Sequence, residues 1–236
     1  MTKTSVDLES PSPYIETGSF LYKIKRKLTY RFAINAIKNI RNKDEAFSLL
    51  EIGTGSGYFL SFIHSEFPHA SLAGIEYDPR LLEVTKEKVP FANCLKGNAE
   101  VFDFGDEKFD VIVSFQVIEH LYEPEAMLHR VKNHLKPNGI FILTTPNLDG
   151  FGARIMGKKW HGYRDDHVSL KGYNDWRALL EKSGFSATYC GSTFFSGIPI
   201  LNRFPLGVVN WMLLVVFGTA RWKKGESFVG IFKTIN

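Results

Sequence analysis

From Phe47 onward, short apolar runs alternate with stretches whose apolar residues recur every three or four positions. The runs "FSLLEI", "SLAGIE", "FANCLK", "FDVIVSF" and "IFILTTP" are apolar on both faces, as strands of a parallel sheet covered on both sides must be. Between them, Gly57 to Phe67 places Leu60, Ile63 and Phe67 on one helical face. Pro79 to Lys88 reads as a helix capped by Asp78, with proline in its tolerated first turn. "EPEAMLHRVKNHLKPNG" sets Met127, Leu128, Val131 and Leu135 on one side, with Pro124 near its start and "KPNG" as its stop. Tyr173 to Ser183 is a further helix, closed by Gly184 in the left-handed conformation. "FSATYCGSTFF" and "SFVGIFKTIN" complete a set of seven strands. Strands alternating with helices over loops this short predict a doubly wound α/β sheet.

The chain of 236 residues suits one sizeable domain with appendages, here residues 47–236 with insertions at 146–172 and 196–226. Residues 1–18 form a Ser/Pro-containing leader with no apolar core of the signal-peptide kind. Residues 19–46 hold a basic amphipathic helix. Apolar residues fall at Ile24, Leu28, Phe32, Ala36 and Ile40, and Tyr22 to Lys43 carries eight Lys and Arg residues without one acid. Such a segment suits phosphates, nucleic acid or anionic lipid. Cys94 and Cys190 lie in apolar runs without C-x-x-C spacing, which points to a reducing compartment and a cytoplasmic protein, free or peripheral at the inner face of a membrane.

A second apolar stretch, Phe204 to Ala220, is 17 residues long and bounded by Arg203 and Arg221. Its length borders on a membrane span, yet "SFVGIFKTIN" must return to the sheet, which argues against crossing. Three readings stay open: a helix buried over an acceptor pocket, a dimer contact, or an in-plane anchor with Trp211 and Trp222 at the headgroups and Lys223 and Lys224 on phosphates.

The chemistry concentrates at "LLEIGTGSGYFL", where Glu51 precedes Gly53, Thr54, Gly55 and Gly57 at a strand-to-helix turn. Glycines there permit positive φ and close backbone approach, and ligands of doubly wound sheets bind beyond the carboxyl ends of the strands. The spacing is E-x-G-x-G-x-G, not the G-x-G-x-x-G of dinucleotide folds, and no Lys-Ser/Thr follows for a phosphate-cradling loop. Glu76 ends the second strand, where a carboxylate can accept from both hydroxyls of a ribose. "GNAE" places Asn98 and Ala99 after the third, suited to reading an adenine edge.

With "GIEYDP", "FDVIVSFQVIEHL" and "HRVKNHLKPNGIFILTTPN", these segments make the chain resemble the class I S-adenosylmethionine-dependent methyltransferases, and within them the ubiquinone-biosynthesis O-methyltransferase group. The resemblance covers roughly Phe47 to Phe195. It implies a Rossmann-like sheet of seven strands with the last antiparallel, and S-adenosyl-L-methionine as cofactor. It also implies a cofactor site lined by Gly53, Gly55, Glu76 and Asn98, with Ser114, Phe115 and Gln116 at its edge.

Methyl transfer from a sulfonium is an in-line displacement that needs alignment and, for a hydroxyl acceptor, removal of a proton. His120 in "VIEHL" is the candidate base, with Glu119 orienting it or facing solvent; the alternative for His120 is a loop cap bonded to backbone. Related ubiquinone-pathway enzymes bind a divalent metal through E-x-x-E-H. Here the first position is the neutral amide of Gln116, which weighs against a metal. In the first insertion, His167 of "WHGYRDDHVSLKGY" is a second base or an acceptor contact, or else belongs to a loop knitted by its own hydrogen bonds. The expected acceptor is a small or lipid-linked molecule methylated at oxygen beneath a lid made by the N-terminal helix and the two insertions. A nucleic-acid methyltransferase is the first alternative, disfavoured because no N/D-P-P-Y/F motif follows the fourth strand. A membrane-associated scaffold that binds the cofactor without turnover is the second. Oligomeric state is not legible.

Overall fold

The computed structural model describes residues 30–193, 205–209, 212 and 218–235. The leader, the first part of the basic helix and most of the apolar stretch from 204 to 220 lie outside the described residues.

Helix α1 spans 30–38. The order is then β1 (Ser48–Ile52), α2 (Tyr58–Glu66), β2 (Ser71–Glu76), α3 (Pro79–Lys88), β3 (Asn93–Lys96), β4 (Phe109–Phe115), α4 (Pro124–His134) and β5 (Leu135–Pro146). It continues with α5 (Phe151–Met156), α6 (Tyr173–Lys182), β6 (Phe185–Thr193), β7 (Thr219–Ala220) and β8 (Ser227–Thr234). One sheet orders the strands β3-β2-β1-β4-β5-β8-β6-β7. Strands β1 to β5 are parallel, and β8 runs antiparallel between β5 and β6.

The doubly apolar strands divide their residues between two cores, as the two-residue period of a strand requires. Leu49, Val111, Val113, Ile140 and Ile142 face α1, α2 and α3, whereas Leu50, Ile52, Ile112, Phe141 and Leu143 face α4 and α6. Trp176 on α6 is fully buried in the second core and donates its indole N–H to the Pro146 carbonyl at 3.1 Å.

Three expectations are corrected. Among the described residues the sheet has eight strands, because two residues inside the second insertion, Thr219 and Ala220, pair with Thr193 and Ser192 as β7. α4 does stop before "KPNG", at His134, but Leu135, expected on the helix face, already opens β5, which therefore starts five residues before "IFILTTP". The register jumps from Phe109↔Leu135 to Val111↔Ile140, so Lys136 to Gly139 bulge from the ladder, with Asn138 at φ 66°. The inward face of α1 is also rotated from the expected one. Ala33, Ile34, Ala36 and Ile37 are buried and Ile40 is exposed, since a strict four-residue spacing drifts around a 3.6-residue helix and Ile40 lies past its end.

Basic residues at the end of α1 and just after it are tied down by acids, mostly from elsewhere in the chain. Lys38 pairs with Glu66 at 2.5 Å, and Arg41 with Glu45 and with Asp110 at 2.7 Å. Asp110 also accepts from Lys136 Nζ at 2.8 Å and from the Ser48 backbone N–H. Partial burial alone would raise its pKa, but the bonds from Lys136 and Ser48 prevail and hold it at about 2.

Candidate functional site

The strand order reverses between β1 and β4: the chain moves outward through β2 and β3, then returns to the other side of β1. A crevice at the carboxyl ends of β1 and β4 follows from that topology. The glycine loop lies at its lip.

The three glycines answer different constraints. Gly53 (φ 78°) sits where a Cβ would overlap Val117 Cγ2, and Gly57 (φ 71°), the residue before α2, lies against Thr85. Gly55 (φ 54°) has nothing within 4 Å of its would-be Cβ and is the glycine that borders open space. The loop is held by Glu76, whose carboxylate accepts from Gly55 N at 2.7 Å and Asp78 N at 3.0 Å. Burial raises the Glu76 pKa, opposed by these backbone donors.

The other expected cofactor residues divide into two sets. Glu51 (2% exposed) and Ser114 (0%) are buried at the ends of β1 and β4, and Ser114 Oγ has no hydrogen-bond partner among the described residues. Gln116 adopts φ 56° and donates through Nε2 to Thr144 Oγ1 at 3.3 Å. Phe115 packs its ring against Phe59 and against Tyr30 of α1, so the start of the described helix closes one edge of the crevice. Thr54, by contrast, turns its hydroxyl to Thr85 at 3.4 Å and its methyl toward Gly74, inside the packing of α2 and α3. Ala99 joins a core cluster. Asn98 bonds locally, accepting from Glu100 N at 2.9 Å.

Glu119, His120 and His167 come together, each offering a ligand-type atom within 4.8 Å of the others. The turn Ile118–His120 follows β4, and the first insertion folds over it. Ser169 N donates to Glu119 O at 3.0 Å, and Ser169 Oγ to Ile118 O at 2.9 Å. His120 Nδ1 lies 2.9 Å from Asp166 O, and His167 Nδ1 lies 2.7 Å from Gly162 O. A carbonyl only accepts, so in both rings Nδ1 carries the proton and Nε2 the lone pair. The rings meet edge to face at 4.6 Å.

Burial, reinforced by His167, lowers the His120 pKa and keeps the ring neutral near pH 7. Glu119 is fully buried: Oε2 accepts from Thr145 Oγ1 at 3.0 Å, while Oε1 has no partner among the described residues. Burial pushes its pKa up to about 8, so the carboxyl is protonated at neutral pH. Two imidazoles and one carboxyl could also share a cation, and they suit a borderline metal better than a hard one. Sequence reasoning missed Thr145, Ser169, the Asp166 carbonyl and Val117. None of them carries a local signal, because each acts on a partner brought in by the fold.

Residues 20–189 match the methyltransferase domain family. The chain is similar to a malonyl-[acyl-carrier protein] O-methyltransferase of Paenibacillus sp., at 25% identity over 71% of this chain and 66% of that protein. It is also similar to a ubiquinone biosynthesis O-methyltransferase of Cereibacter sphaeroides, at 33% identity over 49% of each. It thus spans half to two thirds of the length of these curated relatives. Among solved structures, a possible histamine N-methyltransferase from Thermotoga maritima shares the fold, with TM-score 0.62 and 22% identity over 92% of this chain and 96% of that one. The chain belongs to the methyltransferase domain family, in its S-adenosylmethionine-dependent class.

Proposed function

We propose that the protein transfers the methyl group of S-adenosyl-L-methionine to a hydroxyl oxygen of a small or lipid-linked acceptor, with His120 as general base. Glu51, Gly53, Gly55, Glu76, Asn98, Ser114 and Gln116 would hold the cofactor, which supplies an electrophilic methyl on sulfur. The observation that supports the role of His120 is its tautomer: Nδ1–H donates to Asp166 O, which makes Nε2 the basic nitrogen of the ring. Its lowered pKa supports the same role, because a base must start neutral. His167, hydrogen bonded to Gly162 O beside it, would contact the acceptor or relay that proton.

A labelled-methyl transfer assay over hydroxyl-bearing metabolites and lipids is the test. His120→Ala should lower turnover by roughly 10²–10⁴-fold while leaving cofactor binding intact; unchanged turnover would remove His120 as the base. A second reading, a divalent cation held by Glu119, His120 and His167, is favoured by their mutual approach within 4.8 Å. It predicts that chelator abolishes turnover and that added metal restores it. The nucleic-acid reading loses ground because Lys38 and Arg41 of the basic segment are spent on ion pairs.

A further inference from the structure

The excursion between β6 and β7 leaves the sheet at Thr193 and returns at Thr219, which are paired partners. That corner lies at the active-site edge, since Ser192 pairs with Phe228 and Ser227 with Pro146, the carboxyl end of β5. Helix α5 packs there: Phe151 N donates to Lys224 O at 2.9 Å, and the Phe151 ring lies 6.0 Å from that of Trp222.

Along α5, Phe151 (47% exposed) and Ile155 (67%) occupy one face four residues apart and are open to solvent. Lys158 and Lys159 follow α5 directly, both exposed, and neither is ion-paired among the described residues, whereas Arg221 is exposed with its guanidinium 5.7 Å from the Tyr189 ring. Leu206, Val208, Val209 and Met212, in the excursion itself, are also exposed. Neither 150–164 nor 194–225 contains a single Asp or Glu.

We infer that the face formed by Phe151, Ile155 and Trp222 with Lys158 and Lys159 docks on an anionic lipid surface. Apolar side chains enter the acyl boundary while the cations meet headgroup phosphates, and neither contribution alone would hold the protein. A second copy of the chain fits less well, because a two-fold contact would set this all-cationic rim against itself. Nucleic acid would leave Ile155 without a stacking role. The placement rests on the proposed function for its purpose, since it sets the mouth around His120 and His167 beside the bilayer, where a lipid-linked hydroxyl would arrive.

Co-sedimentation of the full chain with phosphatidylcholine vesicles, with and without phosphatidylglycerol, tests the surface. Binding should require phosphatidylglycerol and weaken with salt. Lys158→Glu/Lys159→Glu should reduce it by at least roughly tenfold, given about fivefold per basic residue removed. Phe151→Ser/Ile155→Ser should reduce it comparably. Equal partitioning of both variants, no vesicle binding, or variants that instead dissociate a dimer or release RNA would overturn the inference. Titration of S-adenosylmethionine into the same preparations separates the two claims. Retained cofactor binding with lost vesicle binding upholds the surface and shows that the variants fold. Vesicle binding without cofactor binding would sink the proposed function and leave the surface standing.

Discussion

Glu119 holds an acidic proton where water cannot reach it. In the folded chain its pKa is about 8, against 4.5 when unperturbed, so between those values the native state keeps a proton that the unfolded state has lost. Stability is therefore at its full value below about pH 4.5 and is lost progressively toward pH 8. Glu119→Gln, neutral at every pH and still able to accept from Thr145, should gain in melting temperature relative to the wild type at pH 8 but not at pH 5. A difference that does not change with pH would mean that Glu119 ionises normally. At this scale the sequence was legible where chemistry is local. "VIEHL" pointed to two side chains that the fold brings beside His167, and the spacing pointed to three glycines that adopt positive φ. It was not legible for Thr54 and Ala99, which stand at the expected positions but turn into the packing, because spacing fixes where a residue stands and not which way it faces.

Elements were predictable where caps mark them. Asp78 accepts from Arg80 N and fixes the start of α3, and Gly184 (φ 86°) follows α6 as expected. Boundaries set by tertiary contact were not: the bulge at Lys136 to Gly139 exists because Phe109 and Val111 both pair with β5, and the phase of α1 is chosen by the sheet beneath it. The tie between the segment after α1 and the sheet runs through Asp110, bonded to Arg41, Lys136 and Ser48. With its pKa depressed to about 2, this carboxylate contributes stability that is present above its ordinary value of 3.8 and lost as pH falls toward 2. Asp110→Asn should cost about 2 kcal/mol at pH 7 and flatten the acid limb of the stability profile. Equal acid sensitivity in both proteins would show that the tie carries no weight.

For the whole molecule, the doubly wound sheet places three things on one edge: the glycine loop, the Glu119–His120–His167 cluster and the apolar, cationic corner around α5. The first was readable from a single motif. The other two needed the first insertion to fold back, with Ser169 bonded to the turn after β4 and the buried Trp160 indole donating to Glu226. Among the described residues no helix is long and apolar enough to cross a membrane. Everything proposed for the acceptor depends on the cofactor occupying the crevice between β1 and β4. Isothermal titration of the wild type with S-adenosyl-L-methionine, alongside Gly53→Ala, tests that most directly. The wild type should bind one equivalent, and Gly53→Ala, whose Cβ meets Val117 in a left-handed backbone, should bind at least roughly tenfold more weakly, about 1.4 kcal/mol. Absence of binding by the folded wild type, or equal affinity in the variant, would contradict the account.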